Sequence, residues 1–210
     1  MLPFRVRLAD SAQDLANAVD IRSSAYSRHI PKLGDALRVA EAEDYQSDVL
    51  LLIAERKLDK KVVGTMRLQP NFNGPLKLET ETELPERYQG RRLLETTRLG
   101  VENGIAGRLV MVALVKAAYE ICHACSVDYG FAVGRRSMVE VFRSLCYDIV
   151  DGPLRMPYAS VPLWVLSIPI LEVDGRLRRS EHAYYDFMGR VHHPDIQIDY
   201  ERVSEAFGTP

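Results

Sequence analysis

The pattern of hydrophobic and polar positions predicts short strands and helices that alternate along the whole chain. Residues 4–8 alternate between the two classes, which is typical of a strand with one buried face. Leu15, Val19 and Tyr26 then recur at helical spacing, so we expect a first helix that reaches about Arg28. The chain therefore opens with a strand followed by a helix.

The same patterns predict a mixed sheet in the rest of the chain. We expect a short helix at 37–43, strands at 49–55 and 61–69 joined by a tight turn, a loop at 70–85, a strand at 93–101, a helix at 108–125, a strand at 127–133, a helix at 138–145, strands at 147–150 and 161–168, and a last helix ending at 188. Ser11, Ser137 and Ser180 are the predicted N-caps. An antiparallel meander that leads into a strand–helix–strand unit is typical of an α/β (α+β) fold, and we expect a single domain over residues 1–210.

Composition narrows the class of protein. Of 210 residues, 47% are hydrophobic and 27% are charged, which is ordinary for a soluble globular protein. The net charge of −2 gives no global basic field for nucleic acid. The longest apolar stretch, 109–125, contains Lys116, Glu120 and His123, so we expect a buried helix and no transmembrane segment. Three cysteines, an odd number, and no recognisable signal peptide favour a cytoplasmic protein.

Two histidine and cysteine motifs are interpreted as structural. Cys122 and Cys125 form a CxxC motif inside a predicted helix, without the second ligand pair of a zinc site, so we expect both to pack in the core. His192 and His193 precede a proline and are typical of a surface turn. We therefore expect no metal site.

The segment 93–101 carries the strongest candidate chemistry. Glu95 and Arg98 are three residues apart, so they would face opposite sides of a regular strand. A β-bulge would turn both toward one cleft and would leave a backbone N–H to stabilise the oxyanion of a thioester carbonyl. Spacing alone favours this hypothesis no more than an edge strand with two solvated charges.

Three arginines occupy apolar settings, namely Arg22, Arg67 and Arg98. Candidate partners are the carboxylates of Glu43, Asp44, Asp48 and Glu95. Such a cluster could hold the carboxylate and amine of an amino acid. Taken alone, the pattern favours a structural network of ion pairs.

The order of these residues resembles two related families. The chain resembles the acyl-homoserine lactone (autoinducer) synthases and, more closely, the N-acyl amino acid synthases. The resemblance rests on four features in order: an arginine on the first helix, an acidic pair, a Gly-x-x-Arg-Leu strand (Gly64 to Leu68) and a Glu-x-Thr-Arg strand (Glu95 to Arg98). The resemblance runs from about Phe4 to Ile168. It implies a GNAT-like fold, with a central mixed, mostly antiparallel sheet flanked by helices, and an acyl group supplied by acyl carrier protein.

Carried over position by position, the resemblance assigns roles to seven residues. It makes Glu95 and Arg98 catalytic. The attacking amine must lose a proton, and a carboxylate such as Glu95 could take it, directly or through a water. The resemblance places Arg22, Tyr26, Asp44, Asp48 and Arg67 in the substrate site, with Asp44 one position away from the usual acidic spacing. The tryptophan that lactone synthases carry soon after the first helix is absent, because the single tryptophan is Trp164. This departure favours a plain amino acid over S-adenosylmethionine as the amine donor.

The donor side is assigned to the segment after the Glu-x-x-Arg motif. GNAT enzymes that use coenzyme A usually carry a Gln or Arg where this chain has Val101, which favours a phosphopantetheine borne by acyl carrier protein. The residues expected to contact the acyl or pantetheine group are Leu99, Val101, Gly104, Gly107 and Phe131. A basic patch of Arg135, Arg136 and Arg143 is expected to dock the acidic carrier protein. The alternative is that these residues form an ordinary solvated helix face.

We therefore expect an N-acyltransferase that makes an N-acyl amino acid, with an acyl carrier protein thioester as co-substrate and no tightly bound cofactor. One alternative is an acyl-coenzyme A-dependent GNAT enzyme that acts on another amine, or an autoinducer synthase-like enzyme. Another is a non-catalytic module that binds an acyl carrier.

Overall fold

One sheet runs through the chain. A computed structural model describes residues 1–155, 159–179, 185–189 and 192–208. In these ranges the sheet has the order β6-β7-β5-β4-β3-β2-β1-β8. The strands are β1 (Phe4–Leu8), β2 (Leu50–Arg56), β3 (Val62–Pro70), β4 (Leu93–Val101), β5 (Tyr129–Arg135), β6 (Asp148–Leu154), β7 (Leu163–Pro169) and β8 (Ile196–Gln197). Neighbours are antiparallel except β4–β5 and β1–β8, so the sheet is mixed and mostly antiparallel, as predicted.

Helices flank this sheet. They are α1 (Ala12–Ser27), α2 (Pro31–Ala36), α3 (Lys77–Glu81), α4 (Ile105–Ala124), α5 (Arg136–Ser144), α6 (Val173–Arg179), α7 (Tyr185–Met188) and α8 (Tyr200–Phe207). Single 3₁₀ turns lie at Ala42–Tyr45, Glu86–Tyr88 and Ile170–Glu172. None of the helices within the described ranges is long and apolar enough to cross a membrane.

The two long helices cover opposite faces of the sheet. On β2, Leu52 and Ala54 belong to the core that also contains most of α4, whereas Ile53 packs with Ala18 of α1. Successive side chains of a strand point to opposite faces, so β2 needs apolar residues at both sets of positions. This explains its unbroken hydrophobic run.

The CxxC motif packs in the core as predicted. Cys122 and Cys125 are both buried, and burial raises the pKa of each thiol. Over the described ranges, no three histidine, cysteine or carboxylate side chains come together in a way that could hold a metal ion.

Two predictions between the first helix and β4 were wrong. The helix expected at 37–43 is instead α2, which begins at Pro31, followed by the 3₁₀ turn at Ala42–Tyr45. Proline is favoured in the first helical turn, where its missing N–H has no partner to lose. The loop expected at 70–85 contains α3.

The predicted helix caps had different outcomes. Ser11 does cap α1, and its Oγ accepts a hydrogen bond from the N–H of Asp14 at 3.1 Å. Ser137 does not cap α5, because that helix already begins at Arg136 and its N-cap position is Arg135. The third predicted cap, Ser180, lies outside the described residues.

The chain after β7 holds more structure than the sequence indicated. Sequence analysis missed α6, β8 and α8. The β8 strand pairs in parallel with β1 at the edge of the sheet. Just before it, the buried carboxylate of Asp195 accepts the N–H of Leu2 at 2.6 Å and lies 2.5 Å from the ammonium of Lys57. These contacts fix the start of the chain to this edge.

Candidate functional site

A cavity lies where the two central parallel strands separate. Pairing of β4 with β5 stops at Thr96 and Ala132, although β4 continues to Val101 and β5 to Arg135. The cavity has a volume of about 520 Å³ and is lined from both strands and from α1, α3, α4 and α5. Its walls therefore combine backbone edges, charged side chains and apolar side chains.

The predicted bulge is present on β4. Thr97 pairs with Arg67 and Gly100 pairs with Thr65, so two β4 residues oppose the single residue Met66. The first of these two, Arg98, has a φ of 54°, in the left-handed region. A bulge reverses the alternation of side chains along its strand. As a result, Glu95 and Arg98 both line the cavity.

Glu95 is the most perturbed carboxyl in the cavity wall. The residue is only 4% exposed, and its Oε2 accepts the backbone N–H of Leu78 at 3.2 Å. Its pKa is raised to about 7, mainly by burial and also by the nearby charge of Glu81. The hydrogen bond from Leu78 and the charges of Arg67 and Arg98 act in the opposite direction and lower the pKa. A carboxyl with a pKa near neutrality can both accept and return a proton at physiological pH.

The three predicted arginines do meet, around Asp44 and a second carboxylate that sequence analysis did not single out, Glu41. Arg22, which is fully buried, donates two hydrogen bonds to Asp44, at 2.9 and 2.6 Å. Arg98 donates two to Glu41, at 2.6 and 2.7 Å. Arg67 joins the two pairs, with Nη1 at 3.2 Å from Glu41 and 3.3 Å from Asp44.

This network keeps both carboxylates ionised. Burial by itself would raise the pKa of Glu41 and of Asp44, but the arginines reverse this, and both values lie below the ordinary range. Glu41 is the N-cap of the 3₁₀ turn, and Asp44 is the third residue of that turn. Asp44 also accepts the N–H of Glu41 at 2.8 Å. Nothing in the sequence distinguished Glu41 from the other acidic residues of this segment, because the turn decides which carboxylate faces the arginines.

A glycine on β4 allows this network to form. A Cβ on Gly100 would lie 2.7 Å from the Cα of Arg22, which is closer than atoms can pack. The absence of a side chain lets α1 lie directly against β4. The guanidinium of Arg22 can then reach Asp44.

The remaining predicted acceptor residues separate into two groups. Tyr26 lines the cavity, and burial raises the pKa of its phenol. Asp48 lies elsewhere, in a shallow recess with Gln69 and Pro70. Glu43 is 3.7 Å from the ammonium of Lys77. The acidic pair at the site is therefore Glu41 and Asp44 rather than Asp44 and Asp48.

The donor-side residues also differ in position. Leu99, Val101, Gly104 and Gly107 line the cavity, and α4 begins at its wall. The structure does not place Phe131 there, because its fully buried ring packs at 4.9 Å, edge to face, against Tyr88 in a separate apolar cluster.

The predicted basic patch is spread over β5 and α5. Arg135 lines the cavity and donates a hydrogen bond to Ser137. Arg136 is exposed, with its guanidinium 5.8 Å from the ring centre of Trp164, and Arg143 is exposed and 3.5 Å from Glu140. The sequence did not reveal two further arginines that line the cavity, Arg28 and Arg108.

Comparison with known proteins supports the resemblance seen in the sequence. The family model described as N-acyl amino acid synthase FeeM matches residues 17–169. The solved structure of FeeM, an N-acyl amino acid synthase from uncultured soil microbes, has a TM-score of 0.66 at 12% identity, over 89% of this chain and 98% of that chain. No curated protein matches the chain.

Two further solved structures share the fold. BjaI, a CoA-dependent acyl-homoserine lactone synthase solved with SAM and isopentyl-CoA, has a TM-score of 0.63 at 17% identity, over 97% of this chain and 98% of that chain. The AHL synthase LasI has a TM-score of 0.57 at 13% identity, over 80% of this chain and 90% of that chain. The fold is GNAT-like, as the sequence predicted. Because the family model covers most of the sequence, the chain belongs to the FeeM family of N-acyl amino acid synthases and is an acyltransferase.

Proposed function

We propose that this enzyme transfers a fatty acyl group from an acyl carrier protein thioester to the amine of an amino acid, giving an N-acyl amino acid. The observation that carries the proposal is the placement of Glu95. Its buried carboxyl, with a pKa of about 7, lies just before a bulge in a cavity of about 520 Å³ between separating strands. A base and a backbone irregularity so arranged suit the attack of an amine on a thioester.

The reaction assigned to these groups needs no covalent acyl-enzyme. The amino acid arrives as an ammonium ion, and Glu95 accepts one of its protons. The neutral nitrogen attacks the thioester carbonyl, and a backbone N–H at the bulge stabilises the oxyanion. When the C–S bond breaks, the second proton on nitrogen goes to the departing thiolate, so the products are an amide and a thiol. Arg67 and Arg98 favour the deprotonated form of Glu95.

The acceptor site has two layers. Tyr26 and Arg67 line the cavity and are assigned to contact the acceptor. Arg22 and Asp44 form a buried pair behind them, which holds Arg67 in position. Catalytic geometry of this kind depends on such support, because the reacting groups tolerate little displacement.

The donor is assigned to the open end of the strand pair. Separated strands expose backbone N–H and C=O groups that can bind the amides of an extended phosphopantetheine arm. At this end the start of α4 carries Ile105, which is 79% exposed. Helix α5 begins directly after β5 and carries the exposed Arg136 and, one residue before its end, the exposed Arg143. Basic and apolar residues together suit an acidic carrier protein.

Acyl-coenzyme A is the second candidate donor. Arg28, Arg108 and Arg135 all line the cavity, and guanidinium groups are suited to bind the phosphates of a nucleotide. One of the structural neighbours is described as CoA-dependent. The carrier protein would need the exposed arginines of α5 outside the cavity, whereas acyl-coenzyme A would need only residues that line it.

A donor comparison tests the proposal. The purified protein is mixed with a matched acyl chain on carrier protein or on coenzyme A, together with pooled amino acids. Released thiol is measured and products are identified by mass spectrometry. We expect thiol release and an N-acyl amino acid with the carrier protein donor. Product from coenzyme A alone would favour the second candidate, and no amide product from folded protein with either donor would refute the proposal.

Paired variants sharpen the choice of donor. Arg136→Ser and Arg143→Ser change exposed residues of α5 outside the cavity, so we expect a lower kcat/KM with carrier protein and an unchanged one with acyl-coenzyme A. The carrier protein reaction should also slow as salt increases, because screening weakens attraction between exposed charges. Equal effects on both donors would contradict docking at this surface.

A further inference from the structure

The short helix α3 supplies two charged side chains to the cavity. Lys77 and Glu81 both line it, one helical turn apart on the same face of α3. The same helix supplies the Leu78 N–H that binds Oε2 of Glu95. A cation and an anion on one short helix therefore lie beside the proposed base.

The segment that carries α3 is firmly attached to the sheet. Leu76 and Leu78 are almost fully buried in an apolar cluster with Tyr88. The hydroxyl of Tyr88 lies 2.7 Å from that of Ser167 on β7. At the base of the segment, the side chain of Asn71 accepts the N–H of Leu93 at 2.8 Å and donates to the carbonyl of Arg91 at 3.1 Å. Lys77 and Glu81 are thus carried by an anchored element, as a binding site requires.

Arg67 and Arg98, the two arginines of the network that line the cavity, are already engaged with carboxylates of the chain. Arg98 donates two hydrogen bonds to Glu41, and Arg67 donates to Glu41 and Asp44. Both carboxylates are held ionised by these contacts. The carboxylate of an amino acid would have to compete with them for either arginine.

Lys77 is more exposed than either of these arginines. Its ammonium is 3.7 Å from Glu43, and the two side chains are 38% and 28% exposed. A half-exposed ion pair at this distance contributes little free energy, so a substrate carboxylate can replace it at small cost. Glu81 acts on Glu95 directly, because its charge is one of the causes that raise the pKa of Glu95.

We infer that Lys77 and Glu81 recognise the zwitterionic head of the acceptor, with Lys77 binding its carboxylate and Glu81, together with Glu95, binding its ammonium. The inference rests on the proposed function and adds the residues that select an α-amino acid over a simple amine. Glu81 then holds the nitrogen while Glu95 removes its proton. Both are specificity-determining residues on an element that sequence analysis had interpreted as a loop.

The test compares an amino acid with its own carboxamide. The wild-type enzyme is first given pooled amino acids to find its best acceptor. That amino acid and its carboxamide are then assayed with Lys77→Met. The control is Lys61→Met, which changes an exposed lysine on the β2–β3 turn. We expect Lys77→Met to raise the KM for the amino acid about 10- to 100-fold, as for loss of a charged hydrogen bond. The KM for the carboxamide and for the acyl donor should not change.

A second variant tests Glu81 by its charge. Glu81→Gln should raise the KM for the acceptor. It should also move the acidic limb of the pH–rate profile to lower pH. Without the charge of Glu81 the pKa of Glu95 falls, because Arg67, Arg98 and Leu78 still lower it. A variant that merely loosened the fold would lower activity without moving this limb. An unmoved limb would overturn the role of Glu81.

The outcomes separate the inference from the proposed function. If the wild-type enzyme forms an N-acyl amino acid but Lys77→Met affects amino acid and carboxamide equally, or neither, only the inference fails. If the wild-type enzyme forms no N-acyl amino acid, the proposed function fails, and the inference fails with it. Loss of the preference for the amino acid in Lys77→Met alone supports both.

Discussion

Replacing Glu95 with glutamine separates the energetic cost of this residue from its chemical role. In the protein, burial raises the pKa of Glu95 from its ordinary 4.5 to about 7. Glutamine has nearly the same shape, its carbonyl oxygen can still accept the N–H of Leu78, and it does not titrate. Any pH-dependent difference between Glu95→Gln and the wild type therefore comes from this single carboxyl.

The size of the effect follows from linkage. Each pKa unit is worth 1.36 kcal/mol, so a rise from 4.5 to about 7 corresponds to about 3 kcal/mol. The sign follows from the raised value in the folded state. Protonated Glu95 contributes stability that is fully present below the unfolded pKa and is lost as the pH rises through about 7. At alkaline pH the wild type must keep a carboxylate buried, and Glu95→Gln need not.

Urea unfolding at about pH 4.5 and about pH 8.5 measures this difference. Relative to the wild type, we expect Glu95→Gln to gain about 3 kcal/mol in unfolding free energy on going from the acidic to the alkaline condition. Glu83→Gln, which changes an exposed carboxyl of the same segment, is the control and should show no such gain. A pH-independent difference for Glu95→Gln would refute the reasoning.

The same variant tests catalysis. Loss of a general base typically lowers kcat about 10²- to 10⁴-fold, so Glu95→Gln should be more stable at alkaline pH and yet nearly inactive. In the wild type, kcat should rise with pH through about 7, because only the deprotonated carboxyl can take the proton of the amine. A fully active Glu95→Gln would show that another group accepts this proton.

Three further predictions concern stability and reactivity. Asp44→Asn should lower the unfolding free energy by about 3–5 kcal/mol, because the fully buried Arg22 loses the charge of the carboxylate to which it donates two hydrogen bonds. A loss below about 1 kcal/mol in urea unfolding would contradict this. Gly107→Ala should cost about 1–3 kcal/mol, measured in the same way, since its new Cβ would overlap the carbonyl oxygen of Glu102. Cys122, buried and with a raised pKa, should resist alkylation until the protein unfolds, and rapid labelling under native conditions would be the contrary result.

Much of the fold could be predicted because its elements have strong periodicity. The bounds predicted for β4 match those observed, and the hairpin of β2 and β3 was predicted to within one residue at each end. Short elements were missed because tertiary contacts specify them. Nothing local in Lys77–Glu81 requires a helix, and α3 is held in place by the burial of Leu76 and Leu78 and by the bond from Leu78 to Glu95.

The candidate site was predictable in part for a similar reason. Arg22, Arg67 and Asp44 could be identified as members of one cluster, because charged residues among apolar neighbours need partners. Glu41 could not be chosen from the several acidic residues nearby, since the choice depends on how the 3₁₀ turn at Ala42–Tyr45 directs each side chain. Phe131 was assigned to the cavity, but it faces the apolar cluster around Tyr88.

The bulge on β4 decides what this strand can do. Without it, the alternation of side chains would put Arg98 on the face opposite to Glu95, where α4 packs, and a guanidinium there would have to be buried among apolar residues. With it, Arg98 reaches Glu41, Gly100 meets α1, and Leu99 joins the apolar core. A single extra residue thus brings the proposed base Glu95, the Arg98–Glu41 ion pair and the bulged backbone together where β4 and β5 stop pairing. Because side-chain periodicity records residue types and not backbone register, only the mismatch of Glu95 and Arg98 with a period of two could signal it in the sequence.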